Sequence, residues 1–274
     1  IMADIKAADV AKLRKSTGAG MMDCKKALQE AEGDFDKAVD LIRQKGQAIA
    51  SKRADREASE GNVQAKVSGN YGALISLNCE TDFVAKNEDF VKFAGSILDL
   101  ALAEKPADLE ALKSLTMDGK TVAEKVTEQS GTIGEKLELA YFDYIEAEKV
   151  QAYNHMGNNL ATLVGFNKAD VDEQVAKDVA MQIAAMAPIA VDESDVPDEV
   201  IAKEKQIGRA KAIEEGKPEN IVDRIADGMV KKFLKESTLL NQEFTKDSKK
   251  TIAQYIKEAD KDLQVTGFKR FSVK

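Results

Sequence analysis

The stretch Gly61–Cys79 reads GNVQAKVSGNYGALISLNC. It holds two runs of strand-forming residues, NVQAKV and ALISLNC, on either side of Ser68-Gly69-Asn70-Tyr71-Gly72, a segment whose residues tolerate positive φ. Together these are the signature of a β-hairpin. Downstream, Asp89–Ala103 (DFVKFAGSILDLALA) is apolar at helical spacing and stops before Pro106. The pattern then recurs. Val150-Gln151-Ala152 repeats Val63-Gln64-Ala65 letter for letter, Gly157 and ATLVGF stand where Gly69 and ALISLN stood, and a helix over Val171–Met186 again ends before a proline, Pro188. Features recurring in the same order predict an α+β protein of duplicated hairpin-plus-helix subdomains that share one sheet-on-helix core.

Working outward, the chain divides into five parts. Residues 1–47 read as a three-helix N-terminal module, with Val10 and Leu13 on one apolar face, Cys24, Ala27 and Leu28 on the next, and Val39, Leu41 and Ile42 on the third. Its turns are Ser16–Gly20 and Glu32-Gly33-Asp34, where glycine stops one helix and Asp34 can cap the next. Residues 48–60 carry charges and small side chains without apolar periodicity and read as a linker. The first core subdomain spans 61–145, and its stretch 107–145 reads as helical packing segments through Leu109, Leu112, Leu115, Val122, Val126, Ile133, Leu137 and Leu139. The second is assembled from 146–195 and 241–274, ending in a helix, TIAQYIKE, and an edge strand, VTGFKRFSV. Between these two pieces, residues 196–240 form an inserted antiparallel helical hairpin. Gly216 and Pro218 supply its stop and restart, and Ile201, Ile207 and Ile213 are expected to face Ile221, Ile225 and Met229.

The totals bound what such a chain does. With 274 residues it can bury roughly 70–75% of its unfolded surface. Its 43% hydrophobic and 32% charged residues place it among folding, globular sequences. A net charge of -8 opposes binding to phosphate backbones, so nucleic acid is not expected as a principal partner. The two cysteines, Cys24 and Cys79, stand in unlike contexts without metal-ligand spacing, as in a reduced interior. No signal-peptide core or run of ~20 apolar residues is found, so a membrane role is not expected and a cytoplasmic location is.

The sequence offers little catalytic chemistry. Gly18-Ala19-Gly20-Met21-Met22-Asp23-Cys24-Lys25 lacks the terminal Gly-Lys-Ser/Thr of a phosphate-binding loop, and Asp23 occupies the third glycine of a dinucleotide fingerprint. The single histidine, His155, has no orienting partner in sequence for a Cys-His dyad, and one histidine with two thiols builds no metal site. Neither cofactor nor metal is expected. One loop is unusual: Cys79–Asn87, CETDFVAKN, places Phe83 and Val84 between charged residues ahead of a helix. Two readings stay open. Either Phe83 caps the core with Asp82 as a helix-entry cap, or ring and carboxylate form an exposed wedge that enters another protein.

Three segments, TGAGMMDCKKAL (Thr17–Leu28), NCETDFVAKN (Asn78–Asn87) and VTGFKRF (Val265–Phe271), resemble the elongation factor Ts family, in the right order along nearly the whole chain. The resemblance implies a ubiquitin-associated-like N-terminal module and a non-enzymatic activity, guanine nucleotide exchange on elongation factor Tu in translation. By that resemblance Thr81, Asp82, Phe83 and Val84 intrude between helices of the partner's nucleotide domain and dislodge Mg²⁺. Leu13, Met21 and Met22, and also Ile133, Gly134 and His155, fall on further partner-contact positions. The resemblance is compatible with a homodimer or a two-to-two complex with elongation factor Tu. Two departures stand out: the sequence ends soon after VTGFKRF, without the C-terminal helical extension of many members, and YNHMGNNLATLVGF is less regular than the family's His-Gly-rich strand pair. A rival from another class is an adaptor whose N-terminal helices bind ubiquitin-like or helical partners, and a third is a thiol enzyme at Cys79.

Overall fold

The computed structural model describes residues 5–273; residues 1–4 of the N-terminal module and Lys274 of the last segment lie outside the described residues. Helices α1 (Ala7–Thr17), α2 (Met21–Glu30) and α3 (Phe35–Lys52) close a small core around Leu13, Cys24, Leu28 and Ala38. Gly18, at φ 71°, ends α1 with its N–H on the Arg14 carbonyl, and the Asp34 carboxylate accepts from the Lys37 N–H to start α3. The expected linker 48–60 is in part helix, because α3 continues to Lys52. Its last turns are not a free spacer, since Gly46 comes against Gly131 of a later helix of the core.

Strands β1 (Glu60–Ser68) and β2 (Tyr71–Cys79) form the expected hairpin in unbroken register around Gly69 and Asn70. A one-turn helix α4 (Asp82–Ala85) and helix α5 (Glu88–Glu104) follow. Next come α6 (Leu109–Ser114), a two-residue ribbon of β3 (Thr116–Met117) and β4 (Lys120–Thr121), and α7 (Val122–Ile133). The stretch read as helical up to residue 145 ends instead in β5 (Glu138–Glu146), the third strand of the first sheet. The reason is a β-bulge. Ser76 pairs with Tyr141 and Leu77 with Leu139, leaving Ala140 over, so Leu139 and Phe142 face the same helices three residues apart, while Ile145 is buried on the opposite face against the second sheet, and the resulting spacing of three imitates a helix.

The second sheet is built from β6 (Lys149–Asn154), β7 (Leu160–Phe166) and, far along the chain, β10 (Val265–Ser272), with α8 (Glu173–Met186) following the hairpin. Before β10 come α9 (Asp198–Glu214), α10 (Glu219–Ser237), β8 (Glu243–Phe244), β9 (Asp247–Thr251) and α11 (Ile252–Ala259). Strand orders are β1-β2-β5 and β6-β7-β10, so in each sheet the returning strand lies beside the second strand of the hairpin. Helices α5 and α8 also end alike, on a non-glycine residue in the left-handed region before a proline, Lys105 at φ 48° and Ala187 at φ 43°.

The expectation of one shared sheet-on-helix core is corrected. Helices α5 and α7 cover one face of the first sheet around Ile75, Leu77, Phe90 and Leu98, while α8 and α11 cover the second around Val164, Phe166, Val179 and Ile256. The opposite faces press together through Val63, Leu74, Ile145, Val150 and Leu163. The result is a helix–sheet–sheet–helix stack in which β2 and β7 are buried on both faces. Each fully buried Leu, Ile or Phe in it contributes about 1.5–3 kcal/mol of transfer free energy. Close approach of the sheets needs small residues: a Cβ on Gly72 would stand 2.7 Å from a Val150 methyl, and one on Gly165 would stand 2.9 Å from the Ala147 Cβ.

The helical hairpin forms as expected, but its isoleucines do not meet as a row. Gly208 and Ala212 of α9 pack against Val222 and Ala226 of α10, and Ile207 and Ile213 are left 48% and 62% exposed. The small residues win because a Cβ on Gly208 would already lie 3.1 Å from the Ala226 Cα, a separation that admits no isoleucine row between the helices. Charged pairs flank the seam, Lys205 with Asp227 at 2.7 Å and Arg209 with Asp223.

The N-terminal module meets the core where α3 crosses α7 at two glycines. A Cβ on Gly131 would lie 2.2 Å from the Gly46 Cα, and backbone cannot swing aside as a side chain does. Gly131→Ala is therefore expected to cost about 1–3 kcal/mol at this seam despite alanine's better helix propensity. Trypsin cleavage at the Lys52–Arg56 junction should accelerate several-fold; an unchanged cleavage rate and melting temperature would show that the crossing has slack.

Candidate functional site

The loop after β2 does not use Phe83 as a cap on the core. Cys79 ends the strand fully buried, and burial, with the Glu135 carboxylate nearby, pushes its thiol up to about 12. At neutral pH it is therefore a protonated thiol packed in a core, not a nucleophile. Thr81, not Asp82, caps α4: its hydroxyl accepts from the Val84 N–H at 3.5 Å. Helix α4 makes a single turn, with Ala85 buried and Val84 half-buried against the first sheet's core, and then Asn87 caps α5 through its side-chain oxygen. That turn aims Phe83 outward, 83% exposed. Asp82 is exposed beside it. The Lys86 ammonium, bonded to its Oδ2 at 2.7 Å, holds the carboxyl below its usual range, so the ring stands next to a fixed negative charge.

Glu80 anchors the base of the loop. Its side chain is only 12% exposed, which by itself would raise its pKa. The Lys136 N–H at 2.6 Å and the guanidiniums of Arg53, at 2.8 and 3.0 Å, and Arg56, at 3.1 Å, outweigh that burial and bring the carboxyl down to about 2. The contact joins three stretches: Arg53 at the end of α3, the loop, and Lys136 just beyond Ile133 and Gly134 at the end of α7. Those two half-buried residues close α7, Gly134 at φ 82° donating to the Ser130 carbonyl at 2.9 Å.

The remaining expected contact residues divide. Met21 and Met22 open α2 with 58% and 63% exposure, so core packing does not hold either of them. Leu13 is corrected: at 0% exposure it lies inside the module's core with Val10 and Leu28 and presents no surface to a partner. Its place on the inner face follows from the same spacing that predicted α1. His155 lies exposed at the β6–β7 turn, its Nδ1 3.0 Å from the Tyr153 hydroxyl. Beside it Met156 is 88% exposed, a residue that sequence reasoning passed over; a lone methionine in the polar turn NHMGNN was the available signal. Arg53, Lys136 and the role of Glu80 were missed as well, because their pairing joins segments distant in sequence.

Glu80→Gln is expected to cost about 2 kcal/mol at neutral pH, the scale for lost hydrogen bonds to a charged group. Because the native carboxyl lies at about 2, below its ordinary 4.5, the stabilisation is complete above roughly pH 4.5 and fades as the pH falls toward 2. Urea melts near pH 7 and near pH 3 should show wild type and variant converging at the lower pH. A gap that stays constant would mean that the charge is not what stabilises the loop.

The sequence profile described as Elongation factor TS matches residues 80–274. Elongation factor Ts of Porphyromonas gingivalis is 52% identical over 266 residues, covering 97% of each chain. That of Christiangramia forsetii is 50% identical over 275 residues, covering 99% of this chain and all of the relative. That of Amoebophilus asiaticus is 52% identical over 273 residues, covering 98% of this chain and 99% of its own. No helix among the described residues is long and apolar enough to cross a membrane. With half of its residues identical to such relatives from end to end, the chain belongs to the elongation factor Ts family of translation elongation factors.

Proposed function

We propose that the protein is a guanine nucleotide exchange factor that binds the GDP-bound form of elongation factor Tu, loosens GDP and its Mg²⁺, and lets GTP enter, with no bond made or broken. The observation that carries this reading is Phe83, a phenylalanine 83% exposed on a one-turn helix with an ionised Asp82 beside it. Leaving a phenylalanine in water forfeits about 1.5–3 kcal/mol of burial that a partner can recover. Mg²⁺ demands near-ideal octahedral geometry, so a ring and a carboxylate pushed among the elements that carry its ligands raise the cost of keeping it and the diphosphate bound. The family membership supports elongation factor Tu as the partner.

Magnitude requires more than one residue. Speeding release a thousandfold takes about 4 kcal/mol, more than one phenylalanine supplies. The methionines Met21 and Met22 suit an adaptable helix contact, and Ile133, Gly134 and His155 are the further contact positions, with Met156 beside the last. We assign the N-terminal ubiquitin-associated-like module, the two duplicated core subdomains, the hairpin insertion and any pairing of two chains to the same reading; the like strand orders of the two sheets support the duplication. Linkage makes the effect reciprocal: nucleotide loosens this protein from its partner as strongly as this protein loosens nucleotide. A cytoplasmic place, where the translation machinery works, follows from the same reading.

Release of a fluorescent GDP analogue from elongation factor Tu, followed by stopped flow, tests the proposal. The wild-type chain should accelerate release in a concentration-dependent way, and Phe83→Ala should slow the accelerated phase about 10- to 150-fold, the kinetic equivalent of about 1.5–3 kcal/mol. No acceleration by the wild type would send the assignment to a binding adaptor, whose partner affinity Phe83→Ala would leave intact. Cys79→Ser should leave exchange near the wild-type rate.

A further inference from the structure

Phe83 has almost no packing of its own, so whatever sets its direction acts through the backbone that carries it. That backbone is held from one side by Glu135. Its Oε2 accepts from the N–H groups of Glu80 and Thr81, each at 3.1 Å, and its Oε1 accepts from the Thr81 hydroxyl at 2.6 Å. The same hydroxyl caps α4, so the carboxylate fixes both the strand exit and the cap of the turn that bears Phe83. The arrangement is reciprocal: Glu80 sends its own carboxylate back to the Lys136 N–H at 2.6 Å. The origin of Glu135 is fixed as well. The Ser130 hydroxyl, on a residue 3% exposed, donates to the Glu135 carbonyl and accepts from the Leu137 N–H at 3.3 Å, while Gly134 turns the chain at φ 82°.

We propose that Glu135 is the positioning residue of the wedge, holding the Glu80–Thr81 backbone so that Phe83 and Asp82 leave the fold in one preset direction. The proposal rests on the exchange reading above and adds to it how an exposed ring is kept ready. Without the carboxylate, two backbone N–H groups and a hydroxyl lose their common acceptor, and the loop has to be ordered at the moment of intrusion rather than during folding. Because Glu135 follows Ile133 and Gly134 directly, the clamp also sets the spacing between two contact segments that lie far apart in sequence. Glu135 acts through Thr81 and need not touch the partner.

The test compares Glu135→Ala with Glu135→Gln, whose amide keeps one acceptor oxygen and can donate to the Thr81 hydroxyl. Hydrogen–deuterium exchange of the free protein should show at least tenfold faster exchange at residues 80–84 in Glu135→Ala, with β2 and α5 protected as in wild type. In stopped flow with elongation factor Tu and a fluorescent GDP analogue, the saturating release rate should fall at least tenfold and the half-saturating concentration stay within threefold. Glu135→Gln should recover both readouts to within threefold of wild type. Wild-type protection at residues 80–84 in Glu135→Ala overturns the proposal, as does a loosened loop with an undiminished saturating rate. If Glu135→Ala loosens the whole core, Thr81→Val and Thr81→Ser decide: the first should loosen the loop and slow release three- to tenfold, the second should restore both, and equal behaviour of the two overturns the proposal. If the wild-type chain accelerates no release, the exchange reading falls, while hydrogen exchange still decides whether Glu135 orders the loop.

Discussion

Two three-stranded sheets that must each be buried on both faces govern this molecule. Neither sheet has a solvent side to spare: β2 and β7 carry apolar residues on both faces, so each needs helices behind it and the other sheet in front. The close stacking at Val63, Leu74, Val150 and Leu163, with glycine at Gly72 and Gly165, satisfies both demands at once. Everything that is not sheet or covering helix is forced to the rim. The loop after β2, the turn between β6 and β7 and the helical hairpin are such rim elements, and the exposed apolar residues Phe83, Met156 and Ile213 sit on them.

A rim position creates a second problem, since an exposed aromatic ring on a short loop gains nothing from packing that would fix its direction. Here polar contacts do the fixing. The Glu135 carboxylate accepts from the Glu80 and Thr81 N–H groups, the Glu80 carboxylate accepts from the Lys136 N–H, and Arg53 ties the end of α3 to the same point. Such charge-assisted bonds are short and directional, which suits holding a backbone at an angle better than apolar contact does. The N-terminal module solves its exposure differently. Met21 and Met22 stand on the first turn of a regular helix, whose own backbone bonds give the direction, and flexible thioethers need only to be presented.

The Glu80 contact, the Gly46–Gly131 crossing and the Arg43–Glu128 ion pair beside it attach the N-terminal module to the core. The three helices bury only a small core of their own around Leu13, Cys24 and Leu28, too little for much independent stability. Their attachment to α7 and to the loop base therefore fixes where Met21 and Met22 stand relative to the rest.

What the sequence determined by itself were the local elements whose signals lie within a few residues. The β1–β2 hairpin, α5 and α8 ending before their prolines, the Asp34 cap, the break at Gly216-Lys217-Pro218 and the oddity of Phe83 between charges were all legible, because turn chemistry, capping and periodicity are short-range physics. The tertiary structure alone decided the rest. It turned Leu139 and the residues after it from an apparent helix into a bulged strand, since a bulge is defined by the partner strand it faces. It packed the helical hairpin through Gly208 and Ala226 rather than through isoleucines, because the distance between axes chooses the contact residues. It sank Leu13 into a core, and it joined Glu80 to Lys136 and Glu135 to Thr81. Pairings of that kind depend on where two distant backbones come to lie, and no local pattern of residues records it.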